Sequence, residues 1–194
     1  MTVSLDKFQL DKIKTTLVVI DVQQRLVPSM PPKVYREVLK AIEFLINCCD
    51  LLRVPVVVTE QYPKGLGPTV PELAAAGGDK IIEKLSFGCC GEPTFNDRLA
   101  ATGRSQILVV GMEAHVCVHQ TVLGLLESGF QVHLVRDAVV SRGKTDYLNA
   151  LELARHAGAV VTTAETAAFQ LLKAASAPEF KAVSALVKAR FAGN

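Results

Sequence analysis

Short runs of β-branched and aliphatic residues alternate along the chain with longer stretches whose apolar positions recur every three or four residues. The short runs cover residues 17–20, 54–58, 80–82, 106–110, 131–135 and 159–162. Most read as near-continuous Val, Ile and Leu rather than apolar–polar alternation, which suits parallel strands covered on both faces. Between them, residues 34–52 place Val34, Val38, Ala41, Leu45 and Cys48 on one helical face. A shorter helix is expected around Leu99, and others over 116–127 and 147–157. Alternation of this kind predicts βαβ units, an α/β fold and a doubly wound parallel sheet. Two further helices are expected at 164–175 and 178–189. In the second, Phe180, Val183, Leu186 and Val187 form an apolar face that would pack on the body or on a neighbouring subunit.

No internal repeat or linker divides the chain, and residues 62–71, rich in Gly and Pro, read as a loop beside the sheet edge. A single domain over 1–194 is expected, long enough to bury a sizeable core. The 21 basic residues against 19 acidic ones give no charge imbalance that would point to nucleic acid or an anionic membrane. No apolar run approaches the length of a membrane span. The first residues lack the apolar stretch of a secretory signal. Five cysteines, four of them in the adjacent pairs Cys48–Cys49 and Cys89–Cys90, do not make a disulfide framework. A cytoplasmic protein with free thiols is the expectation.

Ligands in open α/β sheets bind beyond the carboxyl ends of the strands. Asp21 follows the first run, Lys84 closes the third, and Cys117 follows the fourth at the start of a helix. A carboxylate, an ammonium and a thiol could therefore share one crevice. The helix N-terminus and Lys84 would favour the thiolate, and an activated thiolate should alkylate readily with iodoacetamide. Asp21 could take the thiol proton and return it to a leaving amine. Backbone N–H groups between Glu113 and Cys117 lack helical partners and could hold an oxyanion. Taken singly, each residue also has a plain structural reading: a core cysteine, a turn aspartate and a solvated lysine.

The segment Leu17-Val-Val-Ile-Asp21-Val-Gln23 resembles the opening of isochorismatase-like cysteine hydrolases. Val109-Val-Gly111-Met-Glu-Ala-His-Val-Cys117-Val, with Thr121 four residues beyond the cysteine, resembles their nucleophile segment. Glu83-Lys84-Leu-Ser-Phe87 resembles their lysine segment. The resemblance implies a three-layer α/β/α sandwich around a six-stranded, mostly parallel sheet, with catalytic Asp21, Lys84 and Cys117. It also implies a thioester intermediate in amide-hydrolysing members and a cis peptide between Met112 and Glu113. That peptide would aim the Glu113 N–H, beside that of Cys117, into an oxyanion hole.

Nicotinamidases resemble this chain in the three catalytic residues but bind a metal through an Asp-x-His pair after the second strand. Here that place reads Thr59-Glu60-Gln61-Tyr62, and no histidine precedes His115. No metal and no other cofactor are expected. Gln23, Gln61, Tyr62 and Phe87 are candidate pocket residues, each with a structural alternative as turn, loop or core residue. His115 and the Cys89–Cys90 pair are weaker candidates. The leading expectation is a hydrolase of a small amide or other C–N bond. The rivals are a vinyl-ether hydrolase with Asp21 as acid and a catalytically silent scaffold. A small-molecule substrate and a homo-oligomer, dimer or tetramer, are the expected partners.

Overall fold

The computed structural model describes residues 5–192. Six strands form one sheet: β1 (Thr15–Ile20), β2 (Val56–Gln61), β3 (Ile82–Lys84), β4 (Gln106–Met112), β5 (Gln131–Val140) and β6 (Val160–Thr162). Their order is β3-β2-β1-β4-β5-β6, and all five pairings are parallel. The α/β expectation is met, with every strand parallel. Eight helices among the described residues connect and flank the strands. They are α1 (Pro32–Leu52), α2 (Pro63–Leu66), α3 (Pro71–Gly77), α4 (Pro93–Thr102), α5 (His119–Glu127), α6 (Lys144–Ala157), α7 (Ala164–Leu172) and α8 (Phe180–Phe191). Among the described residues no helix is long and apolar enough to cross a membrane.

The continuous apolar runs have a direct packing cause. Leu17 and Val19 of β1 enter one hydrophobic cluster while Val18 and Ile20 enter another. In β4, Leu108, Val110 and Met112 join the first cluster, and Ile107 and Val109 the second. The first lies under α1, α7 and α8, the second under α4, α5 and α6. Both faces of each central strand are thus dry, and each such side chain contributes about 1.5–3 kcal/mol on burial. Val183 of α8 is fully buried in the first cluster, with Phe180, Leu186 and Val187 packed against it.

All six strands shift by one to five residues at an end from the sequence expectation. β1 begins at Thr15, β2 begins at Val56 and runs on through Thr59-Glu60-Gln61, β3 lies two residues later, β4 extends to Met112, β5 extends to Val140, and β6 begins at Val160. The polar pairs and triplets Thr15-Thr16, Thr59-Glu60-Gln61 and Arg136-Asp137 fall outside the apolar runs yet lie within strands. The helix expected over 116–127 opens instead with a π-helical turn, Ala114–Val118.

The chain enters at β1, moves outward to β3, then returns to lay β4 against the other side of β1. The carboxyl ends of β1 and β4 therefore flank the point where the winding reverses, the usual crevice of such sheets. Gly111 makes their closeness possible. Its φ is +125°, and a Cβ there would sit 2.1 Å from the carbonyl oxygen of Ile20.

Candidate active site

Asp21 leaves β1 with a left-handed backbone, φ 53°, and is fully buried. Its Oδ1 accepts from the Thr59 hydroxyl of β2 at 2.8 Å, and its Oδ2 meets Lys84 Nζ at 2.7 Å. Lys84, at the end of the edge strand β3, reaches past the end of β2 to make that contact. Its ammonium also donates to Gln61 Oε1 at 2.7 Å and to the carbonyls of Phe87 and Ser86 at 2.9 and 3.2 Å. Neither member of the pair has any exposed side-chain surface.

Cys117 sits in the π-helical turn after β4, where Val118 N–H donates to the Glu113 carbonyl, and it is 6% exposed. The thiol and the Asp21 carboxylate are close enough that each shifts the other's protonation. Thr121, one turn on, donates its hydroxyl to the Cys117 carbonyl at 2.7 Å and accepts from Cys89 N–H at 3.0 Å. That bridge ties the segment after β3 to the turn that carries Cys117. Asp21, Lys84 and Cys117, 96 residues apart at the extremes of the sequence, meet in one buried cluster.

The electrostatics correct one expectation. Burial, and then the Asp21 charge, push the Cys117 thiol well above its ordinary range, while Lys84 pulls the other way. The resting sulfur is therefore protonated, not a thiolate. The Lys84 ammonium is spent on Asp21, Gln61 and two carbonyls, so burial and the Asp21 charge outweigh its pull on the thiol. Burial raises the Asp21 carboxyl above the usual range, opposed by Lys84 and by hydrogen bonds from Lys84, Cys117 and Thr59. Low alkylation by iodoacetamide is then no sign of a silent centre. A thiol held beside a proton acceptor needs no standing thiolate.

The Met112–Glu113 peptide is cis. The Glu113 side chain is turned to Arg142, whose Nε and Nη2 donate to its two oxygens at 2.9 and 2.6 Å, with Arg142 N–H adding a bond at 3.1 Å. Burial acts to raise the Glu113 carboxyl, but the Arg142 bonds outweigh it and hold the group below its ordinary value. The Glu113 side chain is thus committed to Arg142.

Of the candidate pocket residues, Gln61 is the one placed on the charged cluster. Its Oε1 orients Lys84 and its Nε2 donates to the Leu85 carbonyl at 2.9 Å. Gln23 is fully buried and spends its amide on the backbone. Nε2 donates to the carbonyls of Gln61 and Gly67, and Oε1 accepts from Gln61 N–H at 2.8 Å. Phe87 touches the cluster through its carbonyl while its side chain is 54% exposed, and Tyr62 is 51% exposed. His115 Nδ1 lies 3.0 Å from the Ser141 hydroxyl. Cys89 is fully buried with its sulfur 3.8 Å from the Thr59 hydroxyl, so it lies behind the centre and not on the surface. Asp137 caps α7 through Ala164 N–H at 2.8 Å and pairs with Arg190 at 2.7 Å.

Thr59 and Arg142 are the polar partners that the sequence did not single out. Thr59 looks like an ordinary β-branched strand residue, and only the register Ile20↔Thr59 puts its hydroxyl beside Asp21. For Arg142 no local signal exists. All five cysteines are free, and among the described residues no three His, Cys, Asp or Glu side chains gather as metal ligands.

Residues 15–166 match the sequence profile of the isochorismatase domain, a span that includes Asp21, Lys84 and Cys117. The chain belongs to the isochorismatase family. It is 40% identical to isochorismatase family protein 1A of Dictyostelium discoideum over 80% of this chain and 78% of that protein. With isochorismatase domain-containing protein 2 of Danio rerio it shares 38% identity over 89% and 86% of the two chains. Among solved structures, one titled MAR1 ribonuclease from Caenorhabditis elegans superposes with a TM-score of 0.86 at 37% identity, covering 93% of this chain and 92% of that one. The family membership establishes a hydrolase-type fold and leaves the reaction to be argued from the site.

Proposed function

We propose that this isochorismatase-family protein is a cysteine hydrolase of small amides or other C–N bonds, with Cys117 as nucleophile. The observation that supports this reading is a buried Cys117 thiol beside a carboxylate that is itself paired with Lys84 at 2.7 Å. Sulfur attacks the carbonyl carbon as Asp21 takes its proton. The N–H groups of Glu113 and Cys117, in the first turn where helical acceptors are missing, hold the negative oxygen. The tetrahedral adduct then collapses, the C–N bond breaks, and Asp21 hands its proton to the departing nitrogen. Water, deprotonated by Asp21, attacks the thioester, and the carboxylic acid leaves as the sulfur regains a proton. The sum is amide plus water giving acid plus amine. Lys84 keeps Asp21 ionised between these transfers, and Gln61 and Thr59 hold the two in place. No step calls for a metal or other cofactor.

The vinyl-ether alternative uses Asp21 as acid and leaves the thiol idle; a buried thiol beside that carboxylate favours the covalent route. The test is ammonia or amine release from a panel of small amides, ureides and carbamates by the wild type and variants. Cys117→Ala should remove turnover, about 10⁴-fold or more, as loss of a covalent nucleophile does. Cys89→Ala and Cys90→Ala should leave it near wild type. Turnover that survives in Cys117→Ala, on an amide, a vinyl ether or RNA, would overturn the proposal. A cytoplasmic homo-oligomer belongs to the same reading. Leu85, Phe87 and Tyr62, more than half exposed around the Lys84 segment, offer apolar area for a second copy. An Escherichia coli structure of the same fold, 24% identical, is titled an octameric hydrolase. Light scattering that finds only monomer would remove that part.

A further inference from the structure

At the opposite end of the sheet from Cys117, where the strands begin, lies a cavity of about 570 Å³. It is bordered by Asp50 and Arg53 at the end of α1, Pro55 before β2, Arg98 and Ala101 of α4, and Arg104 before β4. Three guanidinium side chains thus line one concave space against a single carboxylate. Arg98 and Arg104 are half-buried and Arg53 is exposed. Arg104 is anchored, its Nη1 donating to the Lys12 carbonyl. Among the described residues, neither Arg53 nor Arg98 makes an ion pair or a side-chain hydrogen bond. The one other acid acting here is Glu179, which feels Arg53 at longer range and is held by Lys12 at 3.3 Å.

A plainer account would have these arginines complement the carbonyl ends of α1 and α4. Four of those carbonyls already have donors. Cys49 O accepts from Val54 N–H at 2.8 Å and Asp50 O from Arg53 N–H at 3.2 Å. Leu99 O accepts from the Thr102 hydroxyl at 2.7 Å and Ala100 O from Gly103 N–H at 3.0 Å. The Arg53 and Arg98 guanidinium donors thus have no acceptor among the described residues, and both residues line the cavity. Arginine forks match phosphate oxygens two at a time, and a concave basic wall concentrates positive potential. The volume falls within the range of about 300–1,000 Å³ usual for small-ligand sites.

We propose that this cavity binds a compact polyanion, a small molecule bearing phosphate groups, through Arg53, Arg98 and Arg104. The site is separate from the Cys117 centre and does not depend on the reaction assigned there. Calorimetric titration with inorganic pyrophosphate tests it. The expected result is saturable binding that weakens as salt is raised from about 50 to 150 mM. In the Arg53→Gln/Arg98→Gln double variant, affinity should fall by roughly tenfold or more. Neither side chain bonds within the fold, so the variant's melting curve without pyrophosphate should match wild type, which separates lost binding from lost folding. Absence of binding at millimolar pyrophosphate, or equal affinity in the double variant, would overturn the assignment. A short RNA that binds through the same arginines while pyrophosphate does not would overturn it too, placing the phosphates on a polymer.

Discussion

Replacing Lys84 by Met should leave a nearly isosteric side chain and a fully buried Asp21 without its cation at 2.7 Å. Breaking a buried ion pair on one side costs about 3–5 kcal/mol, because the remaining charge is stranded. Asp21 has one escape, which is to bind a proton. From an ordinary carboxyl value near 3.9, that costs about 4 kcal/mol at pH 7 and about 1.4 kcal/mol less for each unit of acidification. The deficit of Lys84→Met relative to wild type should therefore be about 4 kcal/mol at pH 7 and shrink as the pH falls. The sign follows from linkage. A carboxyl whose folded pKa is raised above its unfolded one holds a proton that the unfolded chain has released, so acid favours the folded variant. In the wild type Lys84 opposes that rise, so the wild type gains less from acid and the gap closes. Urea unfolding at pH 7, 6 and 5 measures it, and Asp21→Asn combined with Lys84→Met should recover most of the loss. A deficit below about 1 kcal/mol at pH 7, or one that does not change with pH, would refute the stranded-charge reasoning.

Two further outcomes follow from burial and from backbone approach. All five thiols are pushed up, burial being the first cause in each, with Cys48 and Cys89 at about 12 and Cys90 at about 11. Native protein should therefore react slowly with iodoacetamide at neutral pH and faster as pH rises, whereas urea-unfolded protein exposes all five cysteines. Rapid stoichiometric labelling of Cys117 at pH 7, read by peptide mass spectrometry, would contradict the protonated resting state. Gly111→Ala should destabilise by more than about 4 kcal/mol or fail to fold, since the new methyl meets the Ile20 backbone, which has no side-chain freedom to yield. A soluble Gly111→Ala protein with the wild-type unfolding midpoint would refute that contact.

The sheet was legible because its central strands are apolar on both faces, as the split of Leu17, Val18, Val19 and Ile20 between two clusters explains. Strand ends were harder to read. Thr59-Glu60-Gln61 and Lys84 are polar because they face the candidate centre and the loops beside it, so the features that make the site interrupt the pattern that marks a strand. The meeting of Asp21, Lys84 and Cys117 was suggested by their places after three runs and by family resemblance. Their protonation was not legible, because proximity to Lys84 looks the same in a sequence whether its charge goes to the sulfur or to the carboxylate. Gln23 shows the converse. Its position beside Asp21 suggested a role at the centre, yet its amide braces the end of β2 and Gly67.

β3 is only three residues long and lies at the sheet margin, so it has little ladder bonding of its own. What fastens it is the ammonium at its tip, tethered inward to Asp21 beyond β1 and to the two carbonyls that follow it in the chain. One side chain is thereby both the peg of a short border strand and the counter-ion of a buried acid. Selection for a sturdier margin and selection for a differently charged pocket would pull on the same atom, and neither can proceed without disturbing the other.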